Sequence, residues 1–210
     1  MITKITRPDF AFEKKCDFKK VAGVDEAGCG PWAGPVVAAS VIFHEYDESL
    51  WIDLNDSKKL SKAKREELYK NLTESKQLSY GIGIASVEEI DGTNIAKATV
   101  LAMKRAVIAL PIQPEYLLID GVRKPEIDIP FELIVKGDSK SLSIAAASII
   151  AKVTRDEMMD QISKLHPEYG WTKNAGYGTA LHQKALEEFG VTIHHRKSFA
   201  PIRKLIMEAA

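Results

Sequence analysis

Four carboxylates sit where apolar runs meet glycine. Asp25 and Glu26 close the run Val21-Ala22-Gly23-Val24, directly before Ala27-Gly28-Cys29-Gly30-Pro31. Asp120 ends Tyr116-Leu117-Leu118-Ile119 and meets Gly121, and Asp138 follows residues 131–136 in Lys136-Gly137-Asp138-Ser139. If the three strand ends converge, the four acids share one small volume. Like charges packed that closely repel, so a proton or a cation must sit among them. Hard oxygen donors without histidine or cysteine favour Mg²⁺ or Mn²⁺ over zinc. Two such ions about 3.5–4 Å apart serve in-line displacement at phosphorus, one activating water and the other stabilising the leaving oxygen. Aspartate beside glycine is also ordinary turn chemistry, because it tolerates turn conformations and bonds its own backbone. Spacing alone therefore suggests a metal site and leaves the reaction open.

The elements that would position these acids can be read from periodicity. Residues 20–25 and 35–43 are rich in β-branched side chains and flank a glycine-rich turn, which predicts paired strands. Residues 61–75 form a polar amphipathic helix with Ser61 as N-cap, and 78–85 alternate as a strand. Ser86-Val87-Glu88-Glu89 has the form of a capping box opening a short helix. A long helix over 94–110 is closed by Pro111, and strands are predicted over 115–120 and 131–136. Residues 142–165 predict a second long helix, alanine-rich at its start, and 179–189 a third, capped by Thr179 and ended by Gly190. Strands early and helices late describe one α/β layered domain over 1–210, with a catalytic core to about residue 165 and a helical part beyond.

Composition bounds the alternatives. The chain has 210 residues, 29 basic and 29 acidic, so bulk charge does not recruit nucleic acid and the distribution of charge has to do so. The 171–210 stretch is mildly basic, with six Lys or Arg against three Glu. No run of about 18 apolar residues could span a membrane, and the start lacks the apolar core of a secretory signal. Cys16 and Cys29 form neither a disulfide framework nor a metal-ligand spacing, so a reducing cytoplasm is the expected compartment.

The motifs then match a family in order. Gly23-Val24-Asp25-Glu26-Ala27-Gly28-Cys29-Gly30-Pro31 is followed by Ala33-Gly34-Pro35-Val36-Val37, Asn55-Asp56-Ser57-Lys58-Lys59-Leu60 and Leu118-Ile119-Asp120-Gly121. Lys136-Gly137-Asp138-Ser139, Ala145-Ala146-Ala147-Ser148, Gly176-Tyr177-Gly178-Thr179 and His194-His195-Arg196-Lys197-Ser198-Phe199 complete the series. Together these resemble bacterial ribonuclease HII. The resemblance implies a ribonuclease H-like fold, with a central mixed sheet flanked by helices and a helical C-terminal region. It implies Asp25, Glu26, Asp120 and Asp138 as the catalytic and metal-binding set for Mn²⁺ or Mg²⁺. It also implies cleavage of RNA/DNA hybrids and of duplex DNA on the 5′ side of embedded ribonucleotides, leaving 3′-hydroxyl and 5′-phosphate ends.

A ribonucleotide differs from its neighbours only by a 2′-hydroxyl. The family reads that group with the backbone of the glycine-rich turn and packs a tyrosine on the adjoining sugar, roles that fall here on Gly28, Cys29, Gly30 and Tyr177. Cys29 departs from the family's usual arginine, and main-chain contacts survive such an exchange. Ser139 and Lys140 could contact phosphate or simply form a solvated turn. The segment 56–59 could bind the duplex backbone or only precede a helix. Arg196, in the cationic cluster 194–197, is expected to meet substrate at the surface or to lie in an exposed loop; His182 is expected to be exposed. Trp32 and Trp171 are expected in packing. A non-catalytic duplex binder and a type III ribonuclease H are the rival readings. A monomer is expected, and a replication partner at residues 201–210 is left open.

Overall fold

The computed structural model describes residues 7–208, so the 1–210 span and the 201–210 tail each include residues outside the described range. Five strands form one sheet: β1 (Val21–Ala27), β2 (Val36–Phe43), β3 (Leu78–Ala85), β4 (Tyr116–Asp120) and β5 (Phe131–Ile134). Eight α-helices accompany them among the described residues: α1 (Ala11–Lys15), α2 (Lys62–Glu74), α3 (Val87–Gly92), α4 (Ile95–Ile108), α5 (Leu142–Leu165), α6 (Trp171–Asn174), α7 (Ala180–Phe189) and α8 (Ala200–Glu208). The strand order is β3-β2-β1-β4-β5. β1, β2 and β3 pair antiparallel, whereas β4 joins β1 and β5 joins β4 in parallel. This is the mixed sheet flanked by helices that the family resemblance implied.

Helices cover both faces because β1 and β2 are buried on both, as their near-continuous apolar runs require. α4 lies on the face that presents Ala22 and Val24 and packs Ala98, Ala102 and Met103 against them. α5 covers the opposite face with Ala145, Ala146 and Ala147. Its approach is close enough that a Cβ on Gly23 would run into the Ser143 backbone, so glycine at 23 lets the helix seat directly on β1. The α5 N-terminus is fixed from outside the helix. Buried Glu13 of α1 accepts from the Ser143 amide at 3.0 Å and from the hydroxyls of Ser141 and Ser143 at 2.6 Å each. A carboxylate there also answers the positive end of a long helix.

Two boundaries differ from the sequence reading for identifiable reasons. β1 continues through Ala27, because β2 keeps pairing after β4 has ended, with Asp25 opposite Ala39 and Glu26 opposite Ala38. The acids therefore lie within a strand. β5 stops at Ile134, since Lys136 turns into the left-handed region (φ 57°). The C-terminal helices gather around a smaller core of Met159, Tyr169, Trp171, Leu186 and Ile202, which ties α6, α7 and α8 to the end of α5.

Candidate active site

The parallel pairing of β1 and β4 sets the centre of the site. Val24 is in register with Ile119, so the next residues, Asp25 and Asp120, stand side by side on adjacent strands, at the spacing of roughly 5 Å that separates neighbouring strands. Pleating sends both toward the α5 face, where Ser148 opposes the rise in the Asp25 pKa. Glu26 has the opposite parity and points toward the α4 face, where Arg123 approaches it at 3.1 Å. The third strand end, after β5, carries a tight turn. Its Gly137 amide donates to Asp120 Oδ1 at 2.6 Å, so the turn holding Asp138 is tied to the carboxylate of the neighbouring strand.

Burial makes this arrangement electrostatically costly. Asp25 is 5% exposed, and its pKa stands well above the usual aspartate range through burial first, then the charges of Glu26 and Asp120. Burial also raises Glu26, against the opposing pull of Arg123. Asp138 is pushed up to about 6 by burial, then by Asp56 and Asp120. Burial pulls the Lys58 ammonium down, but Asp138, Asp25, Asp56 and Asp120 outweigh it and leave the pKa above its ordinary value. Sequence reasoning placed Asp56 and Lys58 as duplex contacts or as residues preceding a helix, and Asp56 does cap the short 3₁₀ turn Ser57–Lys59. Their place beside the acids could have been suspected only from their membership of the motif series.

The strand ends converge as expected, but no three His, Cys, Asp or Glu side chains among the described residues close into a cage that could hold an ion by themselves. Mutual repulsion among uncompensated carboxylates accounts for such spacing. The donor chemistry nonetheless fits hard divalent cations: every candidate ligand is a carboxylate, and burial has left the group short of positive charge.

The raised pKa of Asp138 makes stability depend on pH. Its folded-state pKa lies above the unfolded value, so it supports folding below about pH 4, and that support is lost as pH rises through about 6. In chelator at pH 7.5, Asp138→Asn is expected to unfold at higher urea than the native sequence, by about 2 kcal/mol, with the gap closing at pH 4. Parallel stabilities across that range would remove the repulsion argument.

Beside the acids, the glycine-rich loop and Tyr177 line a cleft of about 360 Å³ that also contains Asp25, Glu26, Lys58 and Lys152. Tyr177 is 50% exposed, and its ring lies over Gly30, where an added Cβ would come 3.3 Å from Cε1. Gly28 has φ +98° and no room for a side chain against Arg155. The two non-glycine residues with positive φ among those described, Lys136 and Ala175, each precede a site segment, before Gly137-Asp138 and Gly176-Tyr177. Such strain collects at functional positions.

Several sequence expectations are corrected here. Arg196 is fully buried and spends all five donors on loop carbonyls: Nε on Gly34, Nη1 on Cys29 and Pro31, Nη2 on Gly28 and Pro35. It supports the loop from behind and has no donor left for substrate. His182 and His195 are buried as well, because Trp171, Tyr169 and Trp32 enclose them. Ser139 and Lys140 follow the solvated-turn reading: the Ser139 hydroxyl donates to the Lys136 carbonyl and the exposed Lys140 ammonium to that of Val135. Cys29 directs its thiol inward, 3.3 Å from Thr99 Oγ1 and 3.4 Å from Glu26 Oε1, and its pKa is raised to about 11, chiefly by burial. Trp171 is packed in the core as expected.

Acids at the C-terminal ends of adjoining parallel strands, beneath a glycine-rich loop on a ribonuclease H-like fold, define a metal-dependent nuclease of the ribonuclease H class. The family model described as Ribonuclease HII matches residues 22–202. A Ribonuclease HII of Wolbachia pipientis wMel is 50% identical over 95% of this chain and 98% of its own length. The ribonuclease H2 from Pyrococcus horikoshii OT3 superposes with a TM-score of 0.79 at 27% identity, covering 90% of this chain and 98% of that one. An RNase HII from Archaeoglobus fulgidus, solved in a PCNA:RNase HII complex, superposes with a TM-score of 0.67 at 25% identity over 86% of this chain and 95% of that one. The chain belongs to the ribonuclease HII family.

Proposed function

We propose that this chain, acting as one monomeric domain, hydrolyses the RNA strand of RNA/DNA hybrids and cuts on the 5′ side of ribonucleotides embedded in duplex DNA, leaving 3′-hydroxyl and 5′-phosphate ends. Its work would be ribonucleotide removal and primer degradation in the cytoplasm. The observation that carries the reading is the adjacency of Asp25 and Asp120 on neighbouring strands, with Asp25 lining the cleft that the glycine-rich loop and Tyr177 share. Asp25, Glu26, Asp120 and Asp138 would hold two divalent cations, Mn²⁺ or Mg²⁺, which supply an activated water and a counter-charge for the leaving oxygen when bound.

The protein's own residues do the rest. The Gly28–Gly30 main chain can approach a 2′-hydroxyl closely, because Gly30 presents no side chain beneath Tyr177 and Gly28 takes the left-handed turn that lets Arg155 pack behind the loop. Tyr177 offers a ring face against the neighbouring sugar. Lys58 and Lys152 place positive charge along the same cleft, suited to phosphates. A pure duplex binder gains nothing from buried acids facing phosphates, which disfavours the non-catalytic alternative. No helix among the described residues is long and apolar enough to cross a membrane. PCNA, the partner in the Archaeoglobus complex, gives the partner class proposed for this chain.

The test is cleavage of an end-labelled DNA duplex carrying one ribonucleotide, beside a long RNA/DNA hybrid, titrated with Mg²⁺ and with Mn²⁺. Metal-dependent cutting 5′ to the ribonucleotide is expected. Binding without cleavage under every metal condition would favour the binder. Because recognition is assigned to the main chain, Cys29→Arg is expected to keep ribonucleotide specificity and to change affinity less than about tenfold. A large loss of discrimination against all-DNA duplex would refute that assignment.

A further inference from the structure

Behind Tyr177 lies a pair of imidazoles that the acid site does not use. His182 on α7 and His195 in the turn before α8 are both shut off from solvent. His182 Nε2 stands 3.2 Å from Trp171 Nε1 and 3.0 Å from His195 Nε2. On the other side of the ring, His182 Nδ1 stands 3.0 Å from the Tyr177 carbonyl. His195 Nδ1 faces the Thr192 amide at 2.9 Å.

These partners fix where the protons are. An indole N–H can only donate, so His182 Nε2 accepts, and the ring proton sits on Nδ1, donating to the Tyr177 carbonyl. A backbone N–H can only donate, so His195 Nδ1 accepts, and its proton sits on Nε2, directed at the one lone pair of His182 Nε2, which the indole N–H shares as a three-centre contact. The pair is consistent only when neutral, since an added proton on either ring would set N–H against N–H. The titratable groups facing His195 are His182, His194 and His166; burial first, then these neighbours, brings its pKa down to about 3. Burial lowers that of His182 too. The directed chain ends on the Tyr177 peptide, which Thr179 N–H and the Asn174 carbonyl also grip at 2.8 Å each.

We propose that His182 and His195 are positioning residues for substrate binding: the neutral pair fixes the Tyr177 peptide, and with it the height of the tyrosine ring over Gly30. The proposal rests on Tyr177 meeting substrate, as argued above. A pair that merely filled the core would stabilise the fold without being coupled to Tyr177 in binding.

The single-ribonucleotide duplex supplies the kinetic test. His182→Leu is expected to raise KM about tenfold with kcat within about twofold. His182→Asn, which returns an N–H near the Nδ1 position, should bring KM back to within about threefold of the native value. In a Tyr177→Ala background, His182→Leu should add nothing to KM, because both act through one ring. Independently of activity, imidazole ¹⁵N shifts at pH 7 should report His182 protonated on Nδ1 and His195 on Nε2. The reverse tautomers, a charged ring at pH 7, or an effect of His182→Leu that persists in full without the tyrosine would overturn the proposal. Were the native protein to cleave nothing, the function proposed above would fall, while the ¹⁵N measurement would still decide the pair. If His182→Leu does not fold, the asparagine variant and the ¹⁵N shifts carry the decision.

Discussion

Asp25→Asn and Asp120→Asn are each expected to lower single-turnover cleavage by about a thousandfold or more while the fold stays intact. The activity loss follows from charge. Asparagine keeps the shape and a carbonyl oxygen but removes the negative charge that would hold a divalent cation, and a thousandfold corresponds to about 4 kcal/mol of transition-state stabilisation. The retained fold follows from the same electrostatics read in reverse. Asp25 is buried among Glu26 and Asp120, so neutralising it relieves repulsion in the metal-free protein. At position 120, the amide oxygen of asparagine can still accept the Gly137 amide that now bonds Asp120 Oδ1 at 2.6 Å. Both variants should therefore melt at or above the native temperature in chelator. Quench-flow cleavage with saturating metal, beside circular dichroism melts, checks both halves. Activity within tenfold of native in either variant would remove the acids from the reaction.

The contrast between what could and could not be read from the residues follows from locality. Strand and helix periodicity is local, so α5 was legible to the residue, and the caps Ser61, Ser86, Asn94 and Thr179 mark the starts of α2, α3, α4 and α7. The acids were legible because a carboxylate inside an apolar run is anomalous wherever the run ends up. Burial of polar side chains at the far end of the chain was not. His182, His195 and Arg196 look like a soluble cationic surface in one dimension, and only the return of the C-terminal turn onto the glycine-rich loop hides them. That return is visible as the bridge between Ala33 and His195 and as the bond from the Gly34 amide to the His194 carbonyl. Contacts spanning some 160 residues carry no periodic signal. The acid surroundings of Lys58 were hidden for a similar reason: apart from Asp56, its acid neighbours come from β1, β4 and the turn after β5, none of them near it in sequence.

Replacing Arg196 by methionine is expected to lower the unfolding free energy by about 3–5 kcal/mol, at the upper end for a single substitution. Methionine fills much of the same volume, so the cost is polar. Five loop carbonyls, those of Gly28, Cys29, Pro31, Gly34 and Pro35, each lose a donor at once; Pro35 keeps Arg155, and unsatisfied buried acceptors among the other four cost about 1–3 kcal/mol each before relaxation. Arg155 bonds Ala33, Pro35 and Ala175, and cannot reach across to replace them all. Burial, then the neighbouring Arg155 charge, pulls the Arg196 pKa down to about 9, so the guanidinium stays charged at neutral pH and is answered by carbonyl dipoles, with no carboxylate bridged to it among the described residues. Lysine should rescue only in part, since an ammonium has three donors and cannot match a five-fold planar fork. For a chain of this size the melting temperature of Arg196→Met should fall by about 10–15 °C, with Arg196→Lys falling part of the way. The functional consequence is geometric: carbonyls drawn toward the arginine leave the opposite side of each peptide for the cleft, so a loop released from Arg196 loses the main-chain surface assigned to the 2′-hydroxyl. Ribonucleotide discrimination by Arg196→Lys, measured below its melting point, should therefore fall further than its affinity for all-DNA duplex, and a melting temperature within about 3 °C of native for the methionine variant would show that the loop holds its shape without the arginine.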